Sequence, residues 1–166
     1  MMRRILTALA LILPLAAGAE GFAQKDLRKV SVSSADFAGG DYEFQSERGR
    51  LIIACESCDD LTFINLEIGR STDGTEARFR SGETTIEKME SICKERSPGC
   101  RLTRLDIGGA VGWVSQYKLG PNEGSTAVLF QDGDLLTIRS MSESRNRTGT
   151  NMAAALRMLA PQIVGD

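Results

Sequence analysis

The chain has 166 residues, a quarter of them charged, with a formal net charge of −2, four cysteines and no histidine. Without imidazole there is no Ser-His-Asp or Cys-His catalysis, no histidine-ligated metal and no histidine pH switch. A weakly acidic surface repels phosphate backbones, so nucleic acid is not an expected partner.

The chain opens with MMRRILTALALILPLAAGAEGFAQ. Arg3 and Arg4 give a basic start, Ile5 to Ala17 form an apolar run interrupted by Thr7 and Pro14, and Ala17-Gly18-Ala19 is a small-x-small triplet. This is the form of a signal peptide over residues 1–19, with cleavage after Ala23 as the alternative. The run is shorter than the roughly 20 residues that cross a bilayer. No Ser or Thr precedes the arginine pair, which favours Sec over twin-arginine export. With no cysteine before Cys55, an N-terminal lipid anchor is not expected. The expectation is a bacterial periplasmic or secreted protein with no integral membrane segment after cleavage. Removing residues 1–19 leaves 147 residues, enough for one domain with its own core, and lowers the net charge to −4, because two arginines and no acid leave with the signal. Residues 20–26 read as a flexible N-terminus and 27–166 as a single domain.

Beyond that lead-in, Val30 and Val32 alternate with serines, Tyr42 and Phe44 flank Glu43, and RLIIAC (50–55) is a β-branched apolar run; each predicts a strand. The clearest alternation follows Leu61, where Thr62, Ile64, Leu66 and Ile68 share one face. With only ESCDD between them, RLIIAC and this strand should form an antiparallel hairpin whose connection holds Cys58. STDGTE (71–76) contains an Asp-Gly turn, and EARFR reads as a further strand.

Thr84 with Glu87 makes a capping box for the first helix, whose stripe is Ile86, Met89 and Cys93 and which Pro98-Gly99 stops. Cys93 then faces the core from the last turn, and Cys100 opens the next strand. RLTRLDI, AVGWVSQYKL, TAVLF and LLTIRSM are four successive strands, with turns at Gly108-Gly109, Pro121 to Gly124 and Asp132-Gly133. SESRNRTGT reads as a polar loop. A second helix over Asn151 to Leu159 carries Met152, Leu156 and Leu159 on one stripe and ends near Pro161. The order implies an α+β domain, an antiparallel β-sheet with two helices packed on it. It is compatible with a PsbP/Mog1-like layout, a sheet between helices, although no diagnostic motif for that family occurs.

Three readings compete for the cysteines. A thioredoxin-type Cys55-x-x-Cys58 needs a helix N-terminus or a cation to stabilise a thiolate, whereas a strand follows it and Glu56, Asp59 and Asp60 surround it. A zinc site needs a second close pair, yet six residues separate Cys93 from Cys100. Two structural disulfides suit an exported protein best. Cys55–Cys58 spans a turn and Cys93–Cys100 ties a helix end to a strand start. These local pairs close loops whose entropy suggests about 2 and 2.5 kcal/mol. A crossed pairing would be worth more, but local partners meet sooner, and the local pairing is the one expected.

Other groups offer less chemistry. Asp59 with Asp60 and Asp132 with Asp134 flank turns, where Asp bonds its own backbone. DIGGAVGW lacks the G-x-G-x-x-G order and precedes a strand, so its glycines suit a turn and a close backbone approach rather than a phosphate. Arg139, Arg145 and Arg147 lie around the polar loop, diluted by Glu143. Trp113 and Tyr117, four apart on one strand, share a face. They either fill the core under a helix or form a binding surface.

The functional expectation is an exported, non-enzymatic accessory or binding protein for an unknown envelope protein or ligand, with no cofactor and no metal. The alternatives are a thiol-disulfide redox or zinc-binding protein using Cys55 and Cys58, and a secreted hydrolase inhibitor.

Overall fold

Residues 21–165 are described by a computed structural model; the signal-peptide reading of residues 1–19 lies outside them. Seven strands form one antiparallel sheet: β1 Tyr42–Ser46, β2 Arg50–Cys55, β3 Phe63–Arg70, β4 Arg101–Ile107, β5 Ala110–Leu119, β6 Asn122–Gln131 and β7 Asp134–Ser142. Their spatial order is β1-β2-β3-β7-β6-β5-β4. Two meanders therefore meet at β3 and β7, where Leu66 pairs with Ile138. Helices α1 Thr75–Arg80 and α2 Ile86–Arg96 carry the chain from β3 to the far edge at β4. After β7 the chain closes with α3 Arg145–Met158 and α4 Ala160–Val164.

The period-2 pattern decides the layering. Ile53 of β2, Ile64 and Leu66 of β3, Leu136 and Ile138 of β7 and Leu129 of β6 have no exposed surface. They lie under Met152, Ala155, Leu159 and Ile163 of α3 and α4. Complete burial of one such aliphatic side chain is worth about 1.5–3 kcal/mol, so this layer is a large share of what holds the fold. The opposite face of the sheet holds Trp113, which meets Phe79 of α1. Helices thus pack on both faces, and there are four of them among the described residues rather than two.

Other departures have local causes. The Val30/Val32 segment is not a strand but lies between 3₁₀ turns at Leu27–Lys29 and Ser34–Asp36. Asp26 caps the first, and Ser33 with Asp36 forms a capping box on the second, so side chains take the backbone groups a ladder would need. EARFR is helical because Asp73 accepts the N–H of Thr75 at 3.0 Å and Glu76 pairs with Arg80 one turn on. The cap of α2 is Thr85, not Thr84, its hydroxyl accepting the N–H of Lys88. SESRNRTGT is not a loop throughout: Ser144 caps α3, which begins at Arg145 and leads through Leu159 into α4, where Pro161 occupies the first turn.

Residues 21–26, expected to be flexible, are packed. Phe22 is buried, the N–H groups of Ala23 and Gln24 donate to the carbonyls of Val164 and Ile163, and Lys25 pairs with Asp134 at 2.7 Å. The N-terminal segment therefore belongs to the domain.

Candidate binding cleft

Strand alternation on β5 turns Trp113, Ser115, Tyr117 and Leu119 toward α2. Met89, Ile92 and Cys93 of α2 lie across from them, with Leu102 of β4 and Thr126 of β6 completing the wall. Between helix and sheet is a cleft of about 500 Å³. No residue of α2 is fully buried, so the helix stands over this face without filling it. Trp113 and Tyr117 are both half-buried and line the same cleft, and neither belongs to the closed core.

Each aromatic is held in place. Trp113 sits between Phe79 and Phe130, with ring centroids 5.4 and 5.5 Å away, both tilted, the geometry aromatic pairs prefer. Tyr117 lies opposite Gly124 of β6, where an added Cβ would come within 2.5 Å of the ring. Gly124 reads from the sequence as a turn residue; in the fold it is the flat seat for Tyr117. The phenol shares a hydrogen bond of 2.9 Å with the hydroxyl of Thr126, and Ser115 donates to the Thr126 carbonyl at 3.1 Å.

The second disulfide builds the far wall. Cys93 and Cys100 are bonded, with Cα atoms 5.9 Å apart, fastening the last turn of α2 to the start of β4. Ser97 reinforces this corner: its hydroxyl accepts the N–H of Lys118 at 3.3 Å, and its carbonyl accepts that of Cys100. Glu90 adds a fastening that sequence spacing does not reveal, accepting the N–H of Leu102 at 2.8 Å while pairing with Lys94. Lys94 first, and the Leu102 N–H next, hold the Glu90 carboxyl below its ordinary range.

Arg96 is the charged side chain that α2 brings to the cleft, and no carboxylate lines it. Lys118 borders it through the backbone N–H that Ser97 accepts, its side chain lying on the other face of β5 across from Glu123. Ile92 and Leu119 stand on the rim, 51% and 57% exposed, two of the large apolar side chains that the described fold leaves to solvent.

The first disulfide lies elsewhere. Cys55 and Cys58 are bonded, with Cα atoms 5.7 Å apart, at the end of β2 and in the connection to β3. No helix begins there, and Glu43 beside Glu56 pushes the Glu56 carboxyl up, a sign of local negative charge. With both local pairs formed, no free thiol remains among the described residues to serve as a zinc ligand.

Two further expectations are corrected. Asp134 is more than a turn residue: its side chain is 3% exposed and accepts from Lys25, Arg70 and the Phe22 N–H. Two of the arginines around the polar loop are held by partners and not simply solvated: Arg147 binds Asp60 and Thr62, and Arg139 pairs with Glu67 at 3.0 Å. Asp132 does occupy a turn, at φ +51.

In comparisons with known proteins, no family model, no curated protein and no solved structure matches this chain.

Proposed function

We propose that this protein is an exported, non-catalytic binding module of the bacterial envelope, and that the cleft between α2 and β5 receives an apolar group of its ligand. The observation that supports this reading most strongly is the convergence of Trp113, Tyr117, Met89, Ile92, Leu102 and Leu119 on one open cleft. Its volume falls within the range of small-ligand sites, about 300–1,000 Å³. Its polar wall atoms bond mainly to one another, so what the space offers a ligand is apolar surface. Two disulfides are compatible with an oxidising compartment, and no described helix is long and apolar enough to cross a membrane. A sheet between helices also remains compatible with a PsbP/Mog1-like layout.

Trp113 is the only tryptophan, so its emission reports on the cleft alone. Titration with 1-decanol should shift that emission saturably, and Ile92→Asp combined with Leu119→Asp should abolish the shift while leaving the melting temperature within a few degrees. An unchanged emission throughout would refute the reading.

A further inference from the structure

We infer that the ligand of the cleft is a single-chain amphiphile with an anionic head group, an alkyl carboxylate in its simplest form; this rests on the cleft being the binding site. The interior calls for an alkyl chain. Tyr117 and Thr126 share one hydrogen bond, Ser115 donates to the Thr126 carbonyl, and Ser97 accepts from Lys118, so these wall atoms ask little of a ligand. A polar group placed among them would lose its water without gaining equivalent bonds.

The charges point to the head group. Arg96 lines the cleft and forms no ion pair among the described residues. The cations beside it are engaged: Lys94 with Glu90, and Arg101 with the Cys100 carbonyl at 2.8 Å. Arg96 also sits on the last turn of α2, so its charge offsets the negative end of the helix, which would otherwise repel an anion. A cationic head would meet the like charge of Arg96 with no carboxylate lining the cleft to offset it. A neutral head would gain no ion pair from Arg96. A carboxylate accepts from a guanidinium in two parallel bonds, the geometry arginine serves best.

The test titrates the full exported chain with sodium decanoate, 1-decanol and decyltrimethylammonium, each below its micelle concentration, following Trp113 emission and heat of binding at low salt. Decanoate should bind roughly three- to fivefold more tightly than decanol, as one exposed ion pair allows, with decyltrimethylammonium weakest. Arg96→Gln should bring decanoate and decanol to the same affinity, Arg96→Lys should keep part of the difference, and Lys118→Gln, on the other face of β5, should leave it unchanged. Arg96 and Lys118 are both exposed, and melting curves establish that the variants fold. Equal affinity of decanoate and decanol for the unaltered chain would overturn the anionic inference yet leave the cleft standing. Failure of all three to bind would overturn both.

Discussion

The backbone N–H of Phe22 donates to the buried carboxylate of Asp134 at 3.0 Å, joining the first described residues to the β6–β7 hairpin 112 positions away. Lys25 and Arg70 reach the same carboxylate, each at 2.7 Å. Burial pushes the Asp134 carboxyl up, but Lys25, the Phe22 N–H and Arg70 together outweigh it, and the net shift is downward from the usual 3.8. A carboxyl lowered by folding contributes stability above its unfolded value and loses it as pH falls through the folded one. Asp134→Ala should therefore cost about 2 kcal/mol at pH 7, chiefly the charged hydrogen bonds, since both cations are largely exposed and add little. The difference in melting temperature from the unaltered protein should be constant from pH 7 to 5 and shrink below pH 4 (about the unfolded aspartate value). A difference that persisted undiminished at low pH would show that the carboxylate's charge is not what holds the segment.

The same contacts bear on processing. Cleavage after Ala23 would remove Phe22, which is 2% exposed, together with its N–H to Asp134 and the Ala23 N–H to Val164. Cleavage after Ala19 keeps all three. On the proposed reading of export, intact mass of the mature protein should place its first residue at Glu20, and a chain beginning at Gln24 should melt several degrees lower, consistent with loss of a buried aromatic. A natural N-terminus at Gln24 would contradict this.

The two disulfides should separate in their effects. Replacing Cys93 and Cys100 together by Ala removes a constraint worth about 2.5 kcal/mol and loosens the wall of the cleft, so stability and decanoate affinity fall together. Replacing Cys55 and Cys58 together costs about 2 kcal/mol and leaves affinity unchanged, because that bridge lies outside the cleft. Denaturant unfolding and Trp113 titration on both variants test this. Loss of affinity in the second variant alone would reverse the assignment.

What could be read from the chain beforehand depended on how local each cause was. The hairpin of β2 and β3 and the four strands from β4 to β7 follow a period of two, and the register pairing Ile53 with Ile64 is what their buried faces require. Both disulfides join near neighbours, so spacing sufficed. The 30–32 segment misleads because its Val/Ser alternation imitates a strand, while the caps from Asp26 and Ser33 act through side chains. The start of α3 was hidden by Thr and Gly, poor helix formers that tertiary packing overrides, with Thr148 and Asn151 buried. Trp113 and Tyr117 were legible as one face, and Met89 with Cys93 as another. That the two faces enclose a cleft depends on the α1–α2 crossover to the far edge, which no local pattern encodes. The engagement of Arg147 by Asp60, 87 residues apart, is non-local in the same way.

Glycine contrasts provide a last test of the sheet. DIGGAVGW was read as a turn and a close backbone approach, and the fold contains both: Gly108 turns at φ +53, and Gly112 faces the backbone of β6. A Cβ on Gly112 would lie 1.8 Å from the Val128 carbonyl oxygen and 3.0 Å from the Leu129 Cα, backbone atoms that cannot rotate aside. Gly112→Ala must separate β5 from β6, and since Trp113 is the next residue, the cleft shifts with it. A loss of roughly 3 kcal/mol is expected, with a red-shifted Trp113 emission in the folded state. Gly69 on β3 has no atom within 4 Å of such a Cβ and no left-handed backbone. Gly69→Ala should accordingly gain about 0.5 kcal/mol by restricting the unfolded chain. Urea unfolding of the two variants decides the matter, and a Gly112→Ala protein as stable as the parent would mean that β5 and β6 are not packed as closely as described.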